Sequence, residues 1–208
     1  EVPAEINRVV IISTMPLASV YCMVAGSGEK LVGLTPSSAN AALHSFVVKL
    51  APQVADVSTK FAEGETVNVE EVLALEPDVV FYNTNNAADC EAVTKLETAG
   101  VPCVGFSTTI EGNNTVETFN TWVTLLGETL GEDLQAKEIV DYGRDVRQLV
   151  ADRVAKIPEG ERRSALILAN YNQSSIVAAG STFGRYWLSA IGAVNVAGPL
   201  ASVIFGVA

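Results

Sequence analysis

The chain has 208 residues, of which 49% are hydrophobic and 18% are charged, and its net charge at pH 7 is −11. This composition indicates a packed globular core and not a disordered chain. The negative charge argues against a nucleic-acid partner, because a phosphate backbone would be repelled. The three cysteines have no CxxC spacing and the chain has one histidine, so these residues do not form the ligand pattern of a zinc site.

The first half of the chain alternates apolar runs with helical patterns. We predict strands in four runs: RVVIIS (8–13), KLVGLT (30–35), DVVFYN (78–83) and VPCVGF (101–106). Helices are predicted for PLASVYCMVAG (16–26) and for AADCEAVTKLETAG (87–100), which Gly100 closes. The small polar residues of PSSANAAL (36–43) are interpreted as a loop. This alternation predicts parallel strands, joined by right-handed crossovers, in a doubly wound α/β layer.

The segment NVEEVLALEPDVVFYN (68–83) combines a helix start, a helix stop and a strand. Asn68 is a suitable N-cap residue, and Glu70 and Glu71 lie in the first turn, where the helix dipole favours negative charge. Pro77 disfavours helix at the residue before it, so we expect the helix to end there. The strand that follows has no polar alternation, which is typical of a parallel strand covered on both faces.

The pattern changes after residue 110. Residues 115–130 predict one amphipathic helix, and residues 134–157 predict a second, of about six turns. Strand character returns at 164–170 and 175–180, followed by a loop, a helix and a turn within 181–198. We therefore expect a first α/β lobe at 1–131, a long interlobe helix at 132–158, and the start of a second α/β lobe at 159–208. The second lobe is expected to be incomplete, because too few residues follow to finish a sheet.

The order of these segments resembles the substrate-binding proteins of ABC importers for iron–siderophore, haem and cobalamin. The most specific piece is NVEEVLALEPDVV (68–80), which is similar to that family's Asn-x-Glu…Pro-Asp-Val-Val signature. The piece AIGAVNVAG (190–198) departs from the family, which usually has a Gly-Gly pair at the positions of Ala193 and Val194. The resemblance covers essentially the whole chain. It implies two α/β lobes joined by a single long helix, with the ligand in the cleft between them, and a truncated second lobe here.

The resemblance also implies a function in transport. The chain is expected to be a non-catalytic solute-binding protein, located in the periplasm or on the outer face of the cell membrane, with a lipid anchor before processing as one option. It would capture an iron chelate (a ferric siderophore), haem or a corrinoid such as cobalamin and deliver it to an ABC permease. No resident cofactor, metal or nucleic acid is expected. An unfinished sheet leaves open edges, through which a dimer or a fragment assembly could form.

Glu70 has a specific expected role. In the family, the matching glutamate lies on the lobe surface and pairs with arginines of the membrane permease. The alternative for Glu70, and the preferred interpretation for Glu71, is compensation of the helix dipole.

Ligand groups are expected in the loops at the carboxyl ends of the strands, where open α/β sheets bind ligands. The predicted ligand-binding residues are Ser13, Thr14, Met15, Thr35, Asn83, Thr84, Asn85, Tyr171, Arg185 and Tyr186. Arg185 could clamp a carboxylate or catecholate oxygen, or form a surface salt bridge. Tyr171 could stack on a flat ligand, ligate ferric iron, or only pack. His44 could ligate haem, but a surface or capping role is preferred.

Two alternatives come from other functional classes. An α/β enzyme would use the same cleft for catalysis, but one histidine, no credible triad and no metal-ligand cluster argue against it. A surface sensor or adhesion module with the same fold is the other alternative. Neighbouring genes for a permease and an ATPase would distinguish it from the transport protein.

Overall fold

The computed structural model describes residues 2–12, 16–64, 66–110, 113–171, 175–178, 183–198 and 203–206. The chain forms two compact units. The first comprises residues 1–108 and 119–140, and the second comprises residues 109–118 and 141–208. The predicted division of the chain at residues 131 and 158 stays a prediction.

The first unit is built around a parallel sheet. Its strands are β1 (Val9–Ile11), β2 (Leu31–Leu34), β3 (Ala62–Glu63), β4 (Thr66–Val67), β5 (Val79–Asn83) and β6 (Cys103–Phe106). Four of them form one parallel sheet in the order β2-β1-β5-β6, while β3 and β4 form a short antiparallel hairpin. The four predicted strands of the first half are therefore confirmed, as is the α/β fold class.

Helices connect these strands. They are α1 (Leu17–Ala25), α2 (Pro36–Leu43), α3 (Val47–Leu50), α4 (Val69–Leu73), α5 (Ala87–Thr98), α6 (Thr115–Leu130) and α7 (Asp133–Val154). The last two contribute residues to both units. The 22-residue α7 confirms the predicted long helix.

Apolar side chains cover both faces of the parallel sheet. Residues Val9–Ile11 and Val79–Phe81 are fully buried, with 0% of each residue exposed. On one face a chain of aromatic contacts runs from Tyr21 through Phe81 and Phe106 to Trp122, with ring centroids 6.4, 5.3 and 6.2 Å apart. The opposite face packs against a second cluster, which contains Phe61, Val72, Val93 and Leu96. A strand buried on both faces has no solvent side, which explains its lack of polar alternation.

The end of α4 is tied to the start of β1. The chain leaves the helix through Glu76, whose φ is +47°. The Arg8 guanidinium donates to the carbonyl of Leu75 (2.6 and 2.8 Å) and to that of Glu76 (3.1 Å), which satisfies carbonyls that a helix end leaves free. Asp78 Oδ2 accepts from the backbone N–H groups of Asn7 (2.7 Å) and Arg8 (2.9 Å). The Glu-Pro-Asp sequence therefore aligns β5 beside β1.

The prediction that residues 36–43 form a loop was wrong, because they form α2. Thr35 is its N-cap, and its hydroxyl accepts from the N–H of Ser38 (3.4 Å), while Pro36 occupies the first helical position. The buried side of the helix consists of Ser38, Ala39 and Ala42. Small side chains let the helix pack closely, but they carry no apolar periodicity that would distinguish it from a loop. His44 ends the helix and its Nδ1 lies 2.9 Å from the Asn40 carbonyl, which confirms the capping role.

The described part of the second unit contains α8 (Phe183–Ala190) and five short strands. These are β7 (Ser164–Ala165), β8 (Leu168–Tyr171), β9 (Ser175–Ala178), β10 (Val194–Asn195) and β11 (Val203–Gly206). β10 and β7 pair in parallel, whereas β11, β9 and β8 form an antiparallel sheet. The apolar stripe of α7 in this unit stays exposed: Tyr142 is 73% and Leu149 is 51% accessible. None of the helices in the described part of the chain is long and apolar enough to cross a membrane.

Candidate functional site

Polar loops follow β5 and β6 where these parallel neighbours end, at one edge of the first unit's sheet. Asn85 connects the two loops. Its Oδ1 accepts from the N–H of Thr108 (2.8 Å), from the hydroxyl of Thr108 (3.1 Å) and from the hydroxyl of Ser107 (3.2 Å). Asn83 Oδ1 in turn accepts from the N–H of Asn85 at 2.9 Å. Hydrogen bonds therefore connect the two loops at this edge of the sheet. Polar groups of the loops, including the exposed Thr84, face solvent.

Asp89 supports this edge from beneath. It is 1% exposed, and its Oδ2 accepts from the backbone N–H of Asn83 at 3.1 Å. Asn86 caps α5 by accepting from the N–H groups of Ala88 (2.9 Å) and Asp89 (3.4 Å). Asp89 follows the predicted ligand residues Asn83–Asn85 closely in the chain, but the structure buries it. A buried carboxylate that binds the backbone holds a loop in place.

Two further residues of this edge were missed by sequence reasoning. The indole N–H of Trp122, in α6, donates to the Ser107 carbonyl at 2.7 Å. Trp122 is 6% exposed, so the β6 loop rests on a buried indole. Gly105 lies against Tyr82 of β5 and against Thr84 in the loop after it, and a Cβ there would come within 2.9 Å of Tyr82 Cζ. The register of β5 against β6 places Gly105, and the packing of α6 places Trp122, so no local sequence signal marks either residue.

Thr35 lies at the carboxyl end of β2 but is 0% exposed. Its hydroxyl makes hydrogen bonds to Ser38 and lies 3.3 Å from the Ser37 hydroxyl. Since this group is engaged within the fold, we omit Thr35 from the proposed ligand surface. The predicted residues Ser13, Thr14 and Met15 lie outside the described residues. Tyr171 is the last residue of β8, and the structure describes its backbone alone.

Arg185 and Tyr186 lie on α8 of the second unit, but a different arginine contacts the tyrosine. Arg147 Cζ is 6.0 Å from the Tyr186 ring centroid, and Arg147 Nη1 pairs with Glu117 Oε1 at 3.2 Å. Such an arginine attracts the electron-rich face of the ring. Arg185 is exposed. The sequence singled out Arg185 and not Arg147, which lies 38 positions earlier in the chain.

Trp187 is a further aromatic residue of α8, one position after Tyr186. Its indole N–H donates to the Thr115 hydroxyl at 2.7 Å, and its ring lies 4.7 Å from that of Phe183. The aromatic residues of α8 are thus held by the start of α6 and by α7, within the second unit.

Glu70 and Glu71 lie on the surface of the first unit, in the first turn of α4. Asn68 Oδ1 accepts from their backbone N–H groups at 3.0 and 3.3 Å, which confirms the predicted N-cap. The N–H of Asn68 donates to the Phe61 carbonyl, so Glu71 does not complete a capping box. Both carboxylates are exposed, and no described lysine or arginine pairs with either.

The thiols form no metal site. All three cysteines are free, and the described residues contain no group of three potential metal ligands. Burial raises the pKa of the Cys103 thiol to about 12 and that of the Cys22 thiol to about 11, so both are neutral at physiological pH. Burial also raises the pKa of Tyr82.

A comparison with models of known protein families identifies the family of this chain. The model of a family described as periplasmic binding protein matches residues 9–202, which is most of the chain. The chain belongs to this family. The match confirms the resemblance inferred from the sequence, and proteins of this family bind solutes for transport.

Two curated relatives are similar to this periplasmic binding protein. YvrC of Bacillus subtilis (strain 168), an uncharacterized ABC transporter substrate-binding lipoprotein, is 24% identical over 188 residues, covering 90% of this chain and 55% of the relative. The molybdate-binding protein MolA of Haemophilus influenzae is 26% identical over 184 residues, covering 81% of this chain and 50% of MolA. This periplasmic binding protein chain therefore spans about half the length of the curated relatives it matches.

Solved structures share the fold of this periplasmic binding protein. A periplasmic solute-binding protein from Veillonella parvula has a TM-score of 0.82 and 28% identity, covering 100% of this chain and 60% of its own. A periplasmic haem-binding protein from Pseudomonas aeruginosa has a TM-score of 0.68 at 22% identity, and the match covers 93% of this chain and 63% of that protein. The vitamin B12-binding protein BtuF of Vibrio cholerae has a TM-score of 0.67 at 17% identity, and the match covers 99% of this chain and 72% of BtuF.

Proposed function

We propose that this chain captures a metal-bearing solute outside the cytoplasm and delivers it to an ABC permease. The observation that supports this most is the polar edge at the carboxyl ends of β5 and β6, where Asn85 joins two loops. That edge is where open α/β sheets bind ligands. The family match over residues 9–202 and the lipoprotein YvrC among its relatives support a location at the outer face of the membrane or in the periplasm.

The proposed ligand classes are an iron chelate, haem and a corrinoid. They are supported by structures of the same fold whose names specify haem and vitamin B12. Molybdate is a second candidate, because the relative MolA is named for it and is 26% identical to this chain. The hydroxyl and amide groups of Thr84, Asn85 and Ser107 suit the oxygen atoms that all of these ligands carry.

Tryptophan fluorescence can identify the ligand. The indole of Trp122 donates to the carbonyl of Ser107, so a ligand that shifts the β6 loop changes the surroundings of this ring. The chain has two tryptophans, and the Trp187→Phe variant leaves Trp122 as the sole emitter. We expect one of four probes, a ferric catecholate chelate, haemin, cyanocobalamin or molybdate, to give a saturable change with a Kd at or below about 1 μM.

Three outcomes bear directly on this assignment. Asn85→Ala should weaken binding of the selected probe at least tenfold, while the exposed Thr94→Ala on α5 should leave it unchanged. If none of the four probes binds, by fluorescence or by equilibrium dialysis, the proposed ligand classes are wrong. Turnover of any probe would favour the enzyme alternative.

Glu70 is the proposed contact with the permease. Its neighbour Glu71 provides a matched control, because both side chains are exposed in the same helical turn and both N–H groups bind Asn68. Glu70→Gln should reduce permease binding and stimulated ATP hydrolysis about tenfold, since a charge-assisted pair with arginine is lost. Glu71→Gln should stay within about twofold of the parent. Equal behaviour of the two variants would show that Glu70 has no specific role in docking.

A further inference from the structure

A groove opens on the first unit beside Glu70. It has a volume of about 240 Å³ and lies between the β3–β4 hairpin, the start of α4 and one side of α5. Its lining residues are Thr66, Val67, Val69, Ala88, Glu91, Ala92 and Lys95. Four of these seven are apolar, and the two charged ones, Glu91 and Lys95, both lie on α5. Val69 immediately precedes Glu70, which places the groove next to the proposed permease contact.

The surroundings of the groove are acidic. Glu91 and Lys95 pair at 3.2 Å across one turn of α5, and their side chains are 76% and 61% exposed. Glu63 pairs directly opposite Thr66 in the β3–β4 hairpin, so its side chain lies on the same face as a lining residue. With Glu70, which follows the lining residue Val69 in the chain, these residues comprise three glutamates and one lysine. Because Lys95 pairs with Glu91, the charges of Glu63 and Glu70 remain and the surroundings of the groove are negative.

The size and charge of the groove favour a polypeptide occupant. Pockets for small molecules usually measure about 300–1,000 Å³ and enclose most of the ligand, whereas this groove is smaller. A volume of this size accommodates one large side chain. Apolar pockets with a charged rim are typical of places where a partner's anchor residue inserts.

We propose that this groove receives an apolar side chain of the ABC permease, presented on a segment that also carries arginine or lysine. This inference rests on the proposed transport function and extends the docking surface beyond Glu70. The apolar lining residues would bind the anchor side chain. The three glutamates would attract the flanking cations, and Lys95 would weaken that attraction.

The chain offers a matched pair of variants to test the groove. Ala88 and Ala87 are exposed neighbours at the start of α5, but only Ala88 lines the groove. Ala88→Leu fills part of the groove, whereas Ala87→Leu adds the same group outside it. Binding would be measured between the full chain and its permease in lipid nanodiscs, by biolayer interferometry, with far-UV circular dichroism to verify folding.

We expect Ala88→Leu to weaken permease binding at least tenfold, and Ala87→Leu to leave it within about twofold. The charges give a second, directional readout: Lys95→Gln should tighten binding severalfold, and Glu91→Gln should weaken it. Both effects should shrink at high salt, because exposed charges are screened. Loss of a merely structural contact would not make Lys95→Gln bind more tightly.

The outcomes separate this inference from the function on which it rests. If Glu70→Gln weakens binding but Ala88→Leu does not, the permease docks at Glu70 and the groove is not part of its contact. If Ala88→Leu alone weakens binding, the groove is the contact and the role of Glu70 is wrong. If no variant changes binding, or the wild-type chain does not bind the permease, the docking surface is refuted on both counts. Retention of the solute ligand by every variant keeps these results independent of ligand capture.

Discussion

Gly105 provides a direct test of how the candidate ligand edge is built. It lies on β6 opposite Tyr82 of β5, at the point where the two strands reach their carboxyl ends. A methyl group at Gly105 would overlap Thr84 Cγ2 and would lie 2.9 Å from Tyr82 Cζ and 3.0 Å from its hydroxyl oxygen. The substitution Gly105→Ala therefore forces two side chains to move at the edge of the sheet.

The magnitude follows from two opposing effects. Overpacking by one methyl group costs about 1–3 kcal/mol when neighbours must leave their rotamers. Alanine in a strand recovers about 0.5–1 kcal/mol, because glycine loses more conformational entropy on folding. Taking the middle of each range, we expect the free energy of unfolding to fall by about 1 kcal/mol. Since Thr84 and its neighbours move, affinity for the solute ligand should also fall.

Urea unfolding, followed by Trp122 fluorescence in a Trp187→Phe background, measures this change within the first unit. Gly160→Ala is the control, because a Cβ there meets nothing within 4 Å and its φ is not positive. It should be neutral or stabilising by up to about 1 kcal/mol. The variant Thr84→Ser removes the methyl group that Gly105→Ala would overlap. Combining the two should recover about half of the loss, with the rest due to the Tyr82 ring.

Two results would contradict this reasoning. A Gly105→Ala protein as stable as the parent would mean that Tyr82 and Thr84 do not lie over β6. A loss that Thr84→Ser leaves unchanged would place the strain elsewhere, because residues in contact should show coupled free energies.

Three further predictions concern stability. Arg8→Met should lower the free energy of unfolding by about 1–3 kcal/mol, because the Leu75 carbonyl, which now accepts at 2.6 and 2.8 Å, loses its donor; urea unfolding should show no loss of this size if the bonds are absent. Gly127→Ala should also destabilise, by about 1 kcal/mol, because its Cβ would lie 2.5 Å from that of Ala136 and overpacking of about 1–3 kcal/mol exceeds the gain of about 1 kcal/mol from alanine in a helix. An unchanged urea midpoint would mean that α6 and α7 are farther apart. Finally, the free energy of unfolding should fall from about pH 8.5 to pH 11, because the Cys22 thiol ionises near 8.5 when unfolded and its pKa is raised to about 11 in the fold. Cys22 should account for a loss of about 2–3 kcal/mol at pH 11. Because Cys103, whose pKa is raised to about 12, loses stability over the same range, Cys22→Ala should make the curve less steep without flattening it, and an equally steep curve for that variant would refute the cause.

Local patterns in the sequence predicted most elements of the first unit. Asn68 starts a helix through local contacts alone, since its side chain accepts hydrogen bonds from the N–H groups two and three residues later. The uninterrupted apolar run of β5 predicted a strand buried on both faces, and residues Val79–Phe81 are fully buried. The prediction of a loop at residues 36–43 was wrong, because the helix there depends on Thr35 as a cap and on packing of small side chains.

The candidate site was predicted less completely. The sequence singled out Asn83, Thr84 and Asn85, because polar residues after a buried strand mark its carboxyl end. It did not indicate that Asn85 bonds to Thr108, 23 positions away, or that Trp122 supports Ser107. Strand register determines the first contact and packing of α6 determines the second, and neither leaves a pattern within one segment.

What the sequence determined by itself is therefore local: where helices and strands start and stop, which strands have no solvent face, and the Asn-x-Glu…Pro-Asp motif that indicates the family. Only the tertiary structure decided which polar groups remain available. It buried Asp89 against the Asn83 backbone, engaged Thr35 within its own helix, and left Glu70 exposed beside a groove. The physical reason is that the free energy of a polar side chain depends on the partners it meets on folding, and those partners come from distant parts of the chain.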